Sequence, residues 1–153
     1  MATKPRKTAP KTGFVATLNA TRLKKLAVEV IIPREESGKG KLHLTYNAAL
    51  LLPTNEEHVV GISLQIKGEG LSGNAESSGK VAFTIDAVIE GMFALPSKPK
   101  EEELVGRDVY MADYLIPILS DMIETLLSKC DYRGITLPRS FPNKPATSVP
   151  QPV

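Results

Sequence analysis

The sequence has little of what usually holds a small protein together covalently or through a metal. Its 153 residues include one cysteine, Cys130, and two histidines, His43 and His58. One cysteine cannot form an internal disulfide, and these three side chains are too few for a structural zinc site. No apolar run approaches the roughly 18 to 20 residues of a membrane span, and the amino terminus lacks the apolar run of a secretory signal. We therefore expect a cytoplasmic protein without metal, cofactor or membrane contact.

Charge and proline content set the two ends apart from the middle. Residues 1–40 carry nine basic and three acidic side chains, a net charge of +6, while the remainder carries −4. A basic head can contact nucleic acid or an acidic partner, but residues 1–13 lack helical periodicity and interleaved aromatic residues, which favours a solvated tail. Five prolines within residues 138–153 exclude a helix or a central strand. The sequence predicts a disordered basic tail over 1–13, one domain over 14–138 and a disordered proline-rich tail over 139–153.

Strict alternation of apolar and polar residues dominates the first part of the domain. It extends over residues 41–52, 59–67 and 80–93, and a shorter run lies upstream at Leu26, Val28 and Val30. A period of two is typical of a strand with one buried face. Short polar connections between these runs favour antiparallel neighbours. The pattern predicts four antiparallel strands that form a sheet with one apolar and one polar face.

The period changes to that of a helix after the fourth strand. Between residues 114 and 132, apolar residues recur at helical spacing, and Asp113 is the predicted N-cap. Pro117 would lie in the first turn, where it interrupts no hydrogen bond, and Gly134 would follow the end. The predicted fold class is therefore α+β, a four-stranded antiparallel sheet with a long C-terminal helix packed on its apolar face. One helix of this length would leave over half of that face bare, which predicts self-association or a surface for a bound polypeptide.

Residues that could support catalysis do not form a recognisable set. The glycine-rich segment 73–81 differs from a phosphate-binding loop in spacing and leads into a strand, so it is interpreted as a hairpin turn, and 38–41 as a second flexible connection. Neither histidine has a nucleophile and a carboxylate at a known spacing. Cys130 is interpreted as an ordinary helix cysteine, with a reactive thiol as the alternative, and Glu101–Glu103 as a solvated loop, with an acidic docking patch as the alternative. We expect no enzymatic activity.

Residues 110–134, YMADYLIPILSDMIETLLSKCDYRG, resemble the SecB family of export chaperones. The matching positions of this helix and its exit are Tyr110, Leu115, Pro117, Tyr132 and Leu137, and Ser140-Phe141 loosely resembles the closing Asn-Phe of the family pattern. The preceding strand, AFTIDAVIEGMF, is similar to that family through Ala82, Phe83, Asp86, Gly91 and Phe93. The order of four strands and a helix covers roughly residues 14–138.

The resemblance implies a chaperone that holds unfolded polypeptide in apolar grooves without ATP. It implies a homotetramer, a dimer of dimers with the helices between two sheets. Two departures favour a specialised SecB-like chaperone with an antitoxin-like client, as in toxin-antitoxin-chaperone systems. The proline-rich end replaces a second helix, and Arg22, Lys24 and Lys25 lie where acids that dock the translocation ATPase SecA are expected, which argues against delivery to SecA. A module dedicated to one partner, without general chaperone activity, is the alternative.

Two sets of residues are predicted to carry these interactions. Asp86 matches one acid of the family's docking face, and we expect it to dock a partner on the polar sheet face together with Glu90. Apolar residues of the first two strands and the helix are expected to bind the client, although each also has the spacing of a core residue. The predicted client-binding residues are Leu26, Val28, Val30, Tyr46, Leu50, Leu119, Met122, Ile123 and Leu126.

Overall fold

The computed structural model describes residues 15–51, 58–141 and 149–152 of the chain. The tail predicted for residues 1–13 lies outside the described residues, as do 142–148 and Val153 of the second predicted tail. The strands are β1 (Thr17–Val30), β2 (Lys41–Leu51), β3 (Val59–Leu71), β4 (Val81–Ala94) and β5 (Val149–Pro152). The helices are α1 (Arg34–Ser37), α2 (Glu101–Leu104), α3 (Arg107–Ala112) and α4 (Ile116–Lys129).

All strands belong to one antiparallel sheet with the order β1-β4-β3-β2-β5. The four predicted strands are present, and the predicted alternation is confirmed, because the apolar residues of β2, β3 and β4 are buried on one face. The long helix lies on that face, so the predicted α+β class is also confirmed. The addition to the predicted sheet is β5, an edge strand within the segment 139–153.

Strand β1 begins earlier than its apolar residues indicated, because two irregularities interrupt its alternation. Its register with β4 shifts between Leu18 and Ala20 and again between Leu23 and Lys25. Each shift leaves one residue of β1 without a direct partner, as in a β-bulge, and reverses which face the following residues occupy. Leu23 therefore lies opposite the buried Ile89, on the same face as the core.

Helix α4 is shorter than predicted at both ends. It begins at Ile116 and not after Asp113, because the Asp113 carboxylate accepts a hydrogen bond from the backbone N–H of Phe141 and does not cap the helix. Pro117 lies in the first turn, as predicted. The helix ends at Lys129, before the predicted stop at Gly134, because Asp131 already adopts a left-handed conformation with φ 67°.

The return of the chain after α4 seals much of the sheet. Helix α3 contacts β2 and β3, while α4 contacts β1 and β4. Buried side chains of Ile135, Leu137 and Phe141 complete the cover, and the ring of Phe141 lies 6.0 Å from that of Tyr46. The expectation that over half of the apolar face is bare is therefore wrong for β2, β3 and β4. It counted one helix and omitted both α3 and the segment after α4.

Three further connections are more ordered than predicted. The acidic segment interpreted as a solvated loop contains the short helix α2. The two glycine-rich connections are packed against each other, because the buried carbonyl oxygen of Ser37 accepts hydrogen bonds from Gly73 N at 2.8 Å, Asn74 N at 3.0 Å and Ser72 Oγ at 2.7 Å. The hairpin turn itself is confirmed between β3 and β4, but these contacts hold it in place.

Candidate functional site

The accessible apolar side chains on the helix side of the sheet concentrate on β1. Leu23 is 43% exposed and Val30 is 38% exposed, although both lie opposite buried residues of β4. Leu26 and Val28 lie on the same face and are half-buried against the core. On α4, which contacts β1, Met122 and Leu126 are half-buried, whereas the residues that follow them, Ile123 and Leu127, are fully buried. We call this the β1–α4 surface, formed by Leu23, Leu26, Val28, Val30, Met122 and Leu126.

The β1–α4 surface arises because α4 has more apolar residues than one contact requires. Leu119, Ile123 and Leu127 follow one another at spacings of four residues and are 0% exposed. Met122 and Leu126 precede two of these by one residue, which places them about 100° around the helix. The second apolar face therefore remains partly open to solvent, next to a strand that α4 covers incompletely.

Strand β1 also has an open edge in the part of the chain that the structure describes. It pairs with β4 on one side, and no described strand pairs with its other side. An unpaired edge presents a row of N–H and C=O groups that another strand can bind. Lys24 and Lys25 are exposed on β1, and lysines on an edge strand disfavour uncontrolled pairing. The accessible apolar row and the open edge thus belong to the same strand.

Tyr46 lies below the segment that follows α4 and is completely buried. Its hydroxyl has no hydrogen-bond partner among the described groups, while its ring packs edge-on against Phe141. Burial raises the pKa of Tyr46 far above its usual range, and the nearby charge of Arg139 opposes this only in part. Tyr46 therefore stays neutral at every physiological pH and acts as an apolar side chain with one unsatisfied polar atom.

Replacing Tyr46 with phenylalanine is expected to raise the free energy of unfolding by about 1 kcal/mol, because it removes a buried hydroxyl that forms no hydrogen bond. Urea unfolding followed by circular dichroism measures the change. The matched control is Tyr132→Phe, since the Tyr132 hydroxyl donates to the carbonyl oxygen of Ile32. In the Tyr132→Phe control, the free energy of unfolding should fall by about 1 kcal/mol. A loss of stability in Tyr46→Phe would contradict the unpartnered hydroxyl.

The opposite face of the sheet carries charged side chains that pair across strands. Lys25 Nζ lies 2.6 Å from Asp86 Oδ2, and Arg22 Nη2 lies 3.1 Å from Glu90 Oε1. Gln65 Nε2 also donates to Asp86, at 3.2 Å. The hydrogen bond from Lys25 is the largest cause that lowers the pKa of Asp86. Both predicted docking acids are thus neutralised by bases of β1, and their docking role stays a prediction.

Acidification is expected to remove the contribution of the Lys25–Asp86 pair to stability. Because the folded-state pKa of Asp86 lies below its unfolded value of 3.8, this contribution is present above that pH and is lost as the pH falls through the lower folded value. Its size should be below about 1 kcal/mol, since the pair lies at the surface. Urea unfolding between about pH 5 and pH 2 should therefore show a shallower pH dependence in Asp86→Asn than in the unsubstituted protein. Equal dependence in both would show that the pair contributes nothing.

Neither a metal centre nor a membrane span is evident in the part of the chain that the structure describes. Within residues 15–51, 58–141 and 149–152, no three side chains of histidine, cysteine, aspartate or glutamate are grouped to hold a metal ion. No helix in these ranges has the length and apolar character to cross a membrane. The accessible apolar side chains make the β1–α4 surface the candidate site.

Comparison with known proteins identifies the fold. No family model and no curated protein match the chain. Among solved structures, it is similar to the SecB-like chaperone Rv1957 of Mycobacterium tuberculosis, in complex with a ChAD peptide from the HigA1 antitoxin Rv1956, with a TM-score of 0.66. The match covers 85% of this chain and 92% of that chain at 16% identity. The protein has a SecB-like fold.

A second solved structure, a protein of unknown function from Streptococcus agalactiae, matches with a TM-score of 0.44. That match covers 82% of this chain and 98% of that one at 16% identity. The SecB-like fold confirms the resemblance that was based on the helix and the fourth strand.

Within the SecB-like fold, the nine predicted client-binding residues occupy three environments. Tyr46, Leu119 and Ile123 are 0% exposed in the core. Val30 is exposed at the end of β1. The other five are half-buried, namely Leu26, Val28, Leu50, Met122 and Leu126. Their role in client binding stays a prediction, and it suits the accessible residues best.

The sequence pattern did not include Leu23 among the predicted residues. Leu23 is out of phase with Leu26 and Val28, because the register of β1 shifts after it. The structure nevertheless places it on the same face, where it is the most exposed side chain of the β1–α4 surface. The signal that could have found it is the pair of adjacent residues Lys24 and Lys25, since two consecutive polar residues within an alternating strand indicate a bulge.

Proposed function

We propose that this protein is an ATP-independent cytoplasmic chaperone that binds unfolded or aggregation-prone polypeptide through the β1–α4 surface. The observation that carries the proposal is an accessible row of apolar side chains on an edge strand beside a half-exposed helix face. Patches of this kind on an otherwise polar surface are typical of sites that bind other polypeptides. The SecB-like fold supports the same function.

Binding at this surface would depend on burial of apolar area and not on a particular sequence. Each Å² of apolar surface removed from water contributes about 25 cal/mol. Flexible side chains such as Met122 adapt to different partners, which suits clients of varied sequence. Capture and release of this kind require neither nucleotide nor metal, because only solvent-exposed apolar area is exchanged.

We further propose that the natural client is an antitoxin-like protein and that delivery to SecA is not the function. The similarity to a chaperone solved in complex with an antitoxin peptide supports this client. The polar sheet face supports the second part, because Arg22 and Lys25 of β1 neutralise Glu90 and Asp86. Because these two acids are already paired, the predicted docking pair offers little free negative charge to a basic docking partner.

The proposed assembly is a homotetramer, a dimer of dimers. The open edge of β1 would pair two protomers through its backbone N–H and C=O groups, which leaves the apolar side chains of the β1–α4 surface to the client. Such a closed arrangement covers an edge that a monomer leaves open. Native mass spectrometry measures the assembly directly, and a monomer would contradict this part of the proposal.

Replacing Leu126 with aspartate is expected to reduce binding of unfolded polypeptide at least tenfold, because it places a charge within the β1–α4 surface. A chemically denatured, aggregation-prone protein is diluted into buffer without nucleotide, and light scattering is followed as this protein is added at increasing molar ratio. The unsubstituted protein should suppress scattering, and Leu126→Asp should not.

The matched control for this experiment is Val105→Asp. Val105 is 78% exposed between α2 and α3, outside the β1–α4 surface, so its substitution should leave suppression unchanged. Equal loss of suppression in Leu126→Asp and Val105→Asp would show that the added charge, and not its position in the β1–α4 surface, explains the effect. Absence of suppression by a folded, unsubstituted sample would contradict general chaperone activity and would favour the alternative, a module dedicated to one specific partner.

A further inference from the structure

The short strand β5 places this chain's own residues on the outer edge of β2. Val149 lies opposite Leu44, and Gln151 lies opposite Leu42, in antiparallel register. Prolines alternate with these two residues. Strand β5 therefore pairs with β2 through a segment in which every second residue lacks a backbone N–H.

The positions of these prolines determine which side of β5 can form hydrogen bonds. Successive residues of a strand point their N–H groups to opposite sides. The N–H groups of β5 belong to Val149 and Gln151, so both lie on one side, and pairing with β2 requires that this is the side of Leu42 and Leu44. The other side of β5 then has no N–H group. No strand can add to it in a regular ladder.

Without β5, the outer edge of β2 would be a site for strand addition. Leu42 and Leu44 are 1% and 0% exposed, so the free N–H and C=O groups of this edge would lie directly beside the apolar core. An edge of eleven residues with this character accepts an extended segment of another chain. An unfolded polypeptide supplies such segments.

We propose that β5 is an intramolecular competitor, which occupies the outer edge of β2 until an extended apolar segment of a bound polypeptide displaces it. This inference rests on the proposed function, and it adds a second binding edge and its regulation. Strand β5 is suited to displacement because four residues with two N–H donors form fewer hydrogen bonds than a longer client segment without prolines. Because β5 belongs to the same chain as β2, its pairing is intramolecular and can form again when the client leaves.

Two full-length variants distinguish the N–H donors of β5 that face β2 from the opposite side of β5, which lacks N–H groups. In Val149→Pro/Gln151→Pro, both donors that face β2 are removed, so β5 cannot pair. In the matched control Pro150→Thr/Pro152→Thr, these donors remain and the pairing with β2 is kept. The first measurement is hydrogen exchange at the amides of Leu42 and Leu44, with those of Leu64 and Ile89 in the core as a test that each variant is folded. The second is the Kd for fluorescently labelled, reduced and carboxymethylated α-lactalbumin, a permanently unfolded probe, from fluorescence anisotropy.

The expected result is exchange at Leu42 and Leu44 that is at least about tenfold faster in Val149→Pro/Gln151→Pro, together with a Kd that is about tenfold lower, equivalent to ~1.4 kcal/mol. The threonine control should match the unsubstituted protein in both. Unchanged exchange would overturn the inference, because β5 would not protect the edge. Faster exchange with an unchanged Kd would overturn it while leaving the proposed function intact, whereas no probe binding by any variant would overturn both.

Discussion

Replacing Gly73 with alanine is expected to lower the free energy of unfolding by about 3 kcal/mol or more. The added Cβ would overlap the carbonyl oxygen of Lys39 and would lie 3.1 Å from the Cα of Gly40. Both neighbours are backbone atoms, so no side chain can rotate to make room. Relief would require the hairpin after β3 to move away from the connection before β2.

Such a movement would also break the hydrogen bonds that converge on Ser37. Its carbonyl oxygen accepts from Gly73 N, Asn74 N and Ser72 Oγ, and Ser37 is 1% exposed. An unsatisfied buried carbonyl adds its own cost to that of the overlap. Urea unfolding followed by circular dichroism measures the total, which is a large fraction of the roughly 5 to 15 kcal/mol that stabilises a small domain.

The matched control is Gly106→Ala, which separates the overlap from the loss of glycine as such. Gly106 has φ 78°, a conformation that alanine adopts at a cost of roughly 1 kcal/mol, and its missing Cβ would meet no atom within 4 Å. Gly73 has no positive φ. If backbone strain alone determined the effect, Gly106→Ala would lose more stability than Gly73→Ala. A smaller loss in Gly73→Ala than in Gly106→Ala would contradict the packing of the two connections.

Replacing Glu124 with alanine is expected to lower the free energy of unfolding by about 2 to 3 kcal/mol, since charge-assisted hydrogen bonds are lost at a partly buried site. Glu124 Oε2 accepts from the backbone N–H of Leu137 at 2.7 Å and from Arg139 Nη1 at 2.8 Å, and Oε1 accepts from Arg139 Nη2 at 2.8 Å. This carboxylate is the largest cause that raises the pKa of Arg139. It ties the segment after α4 to the helix.

The control for this substitution is Glu124→Gln. A glutamine can still accept the hydrogen bond from Leu137 N–H, but it lacks the charge that pairs with Arg139. The free energy of unfolding should therefore fall about half as much as in Glu124→Ala. Urea unfolding measures both stabilities. The accessibility of Tyr46 to a fluorescence quencher should rise only in the alanine variant, because Phe141 would no longer be held over it. Unchanged stability in both variants would contradict a structural role for this contact.

The elements predicted from periodicity are those whose residues have one side in the core. Strands β2, β3 and β4 alternate over most of their length, so the period of two identified both the strands and their buried face. The same reasoning underestimated β1, because its two register shifts break the period although the strand continues. A bulge depends on the hydrogen-bond ladder of the partner strand, which a single segment of sequence does not reveal.

The errors at the ends of α4 have a different origin. Asp113 has the residue type of an N-cap, but its carboxylate binds the backbone of Phe141, which lies 28 residues later in the chain. The left-handed conformation that ends a helix favours glycine, so the sequence predicted the end near Gly134. In the structure Asp131 adopts this conformation three residues earlier. In both places a tertiary contact or a locally unfavourable conformation prevails over residue preference.

The candidate site could be predicted only in part, because spacing identifies apolar faces but not their cover. Tyr46 and Met122 both occupy apolar positions of their elements, yet one is fully buried and the other half-exposed. The difference depends on α3 and on the segment around Phe141, whose packing follows from the whole chain. Sequence reasoning therefore named the right elements and mixed core residues with accessible ones.

The position of β1 beside β4 has a consequence for the order in which the protein folds. Strands β2, β3 and β4 follow one another as neighbours in the sheet, so they can pair as soon as each is synthesised. Strand β1 must wait for β4, which ends 64 residues after it. At about 5 to 20 residues per second, this wait lasts roughly 3 to 13 s on the ribosome. For that time the apolar residues of β1 are exposed on a nascent chain, which is the kind of polypeptide that chaperones bind.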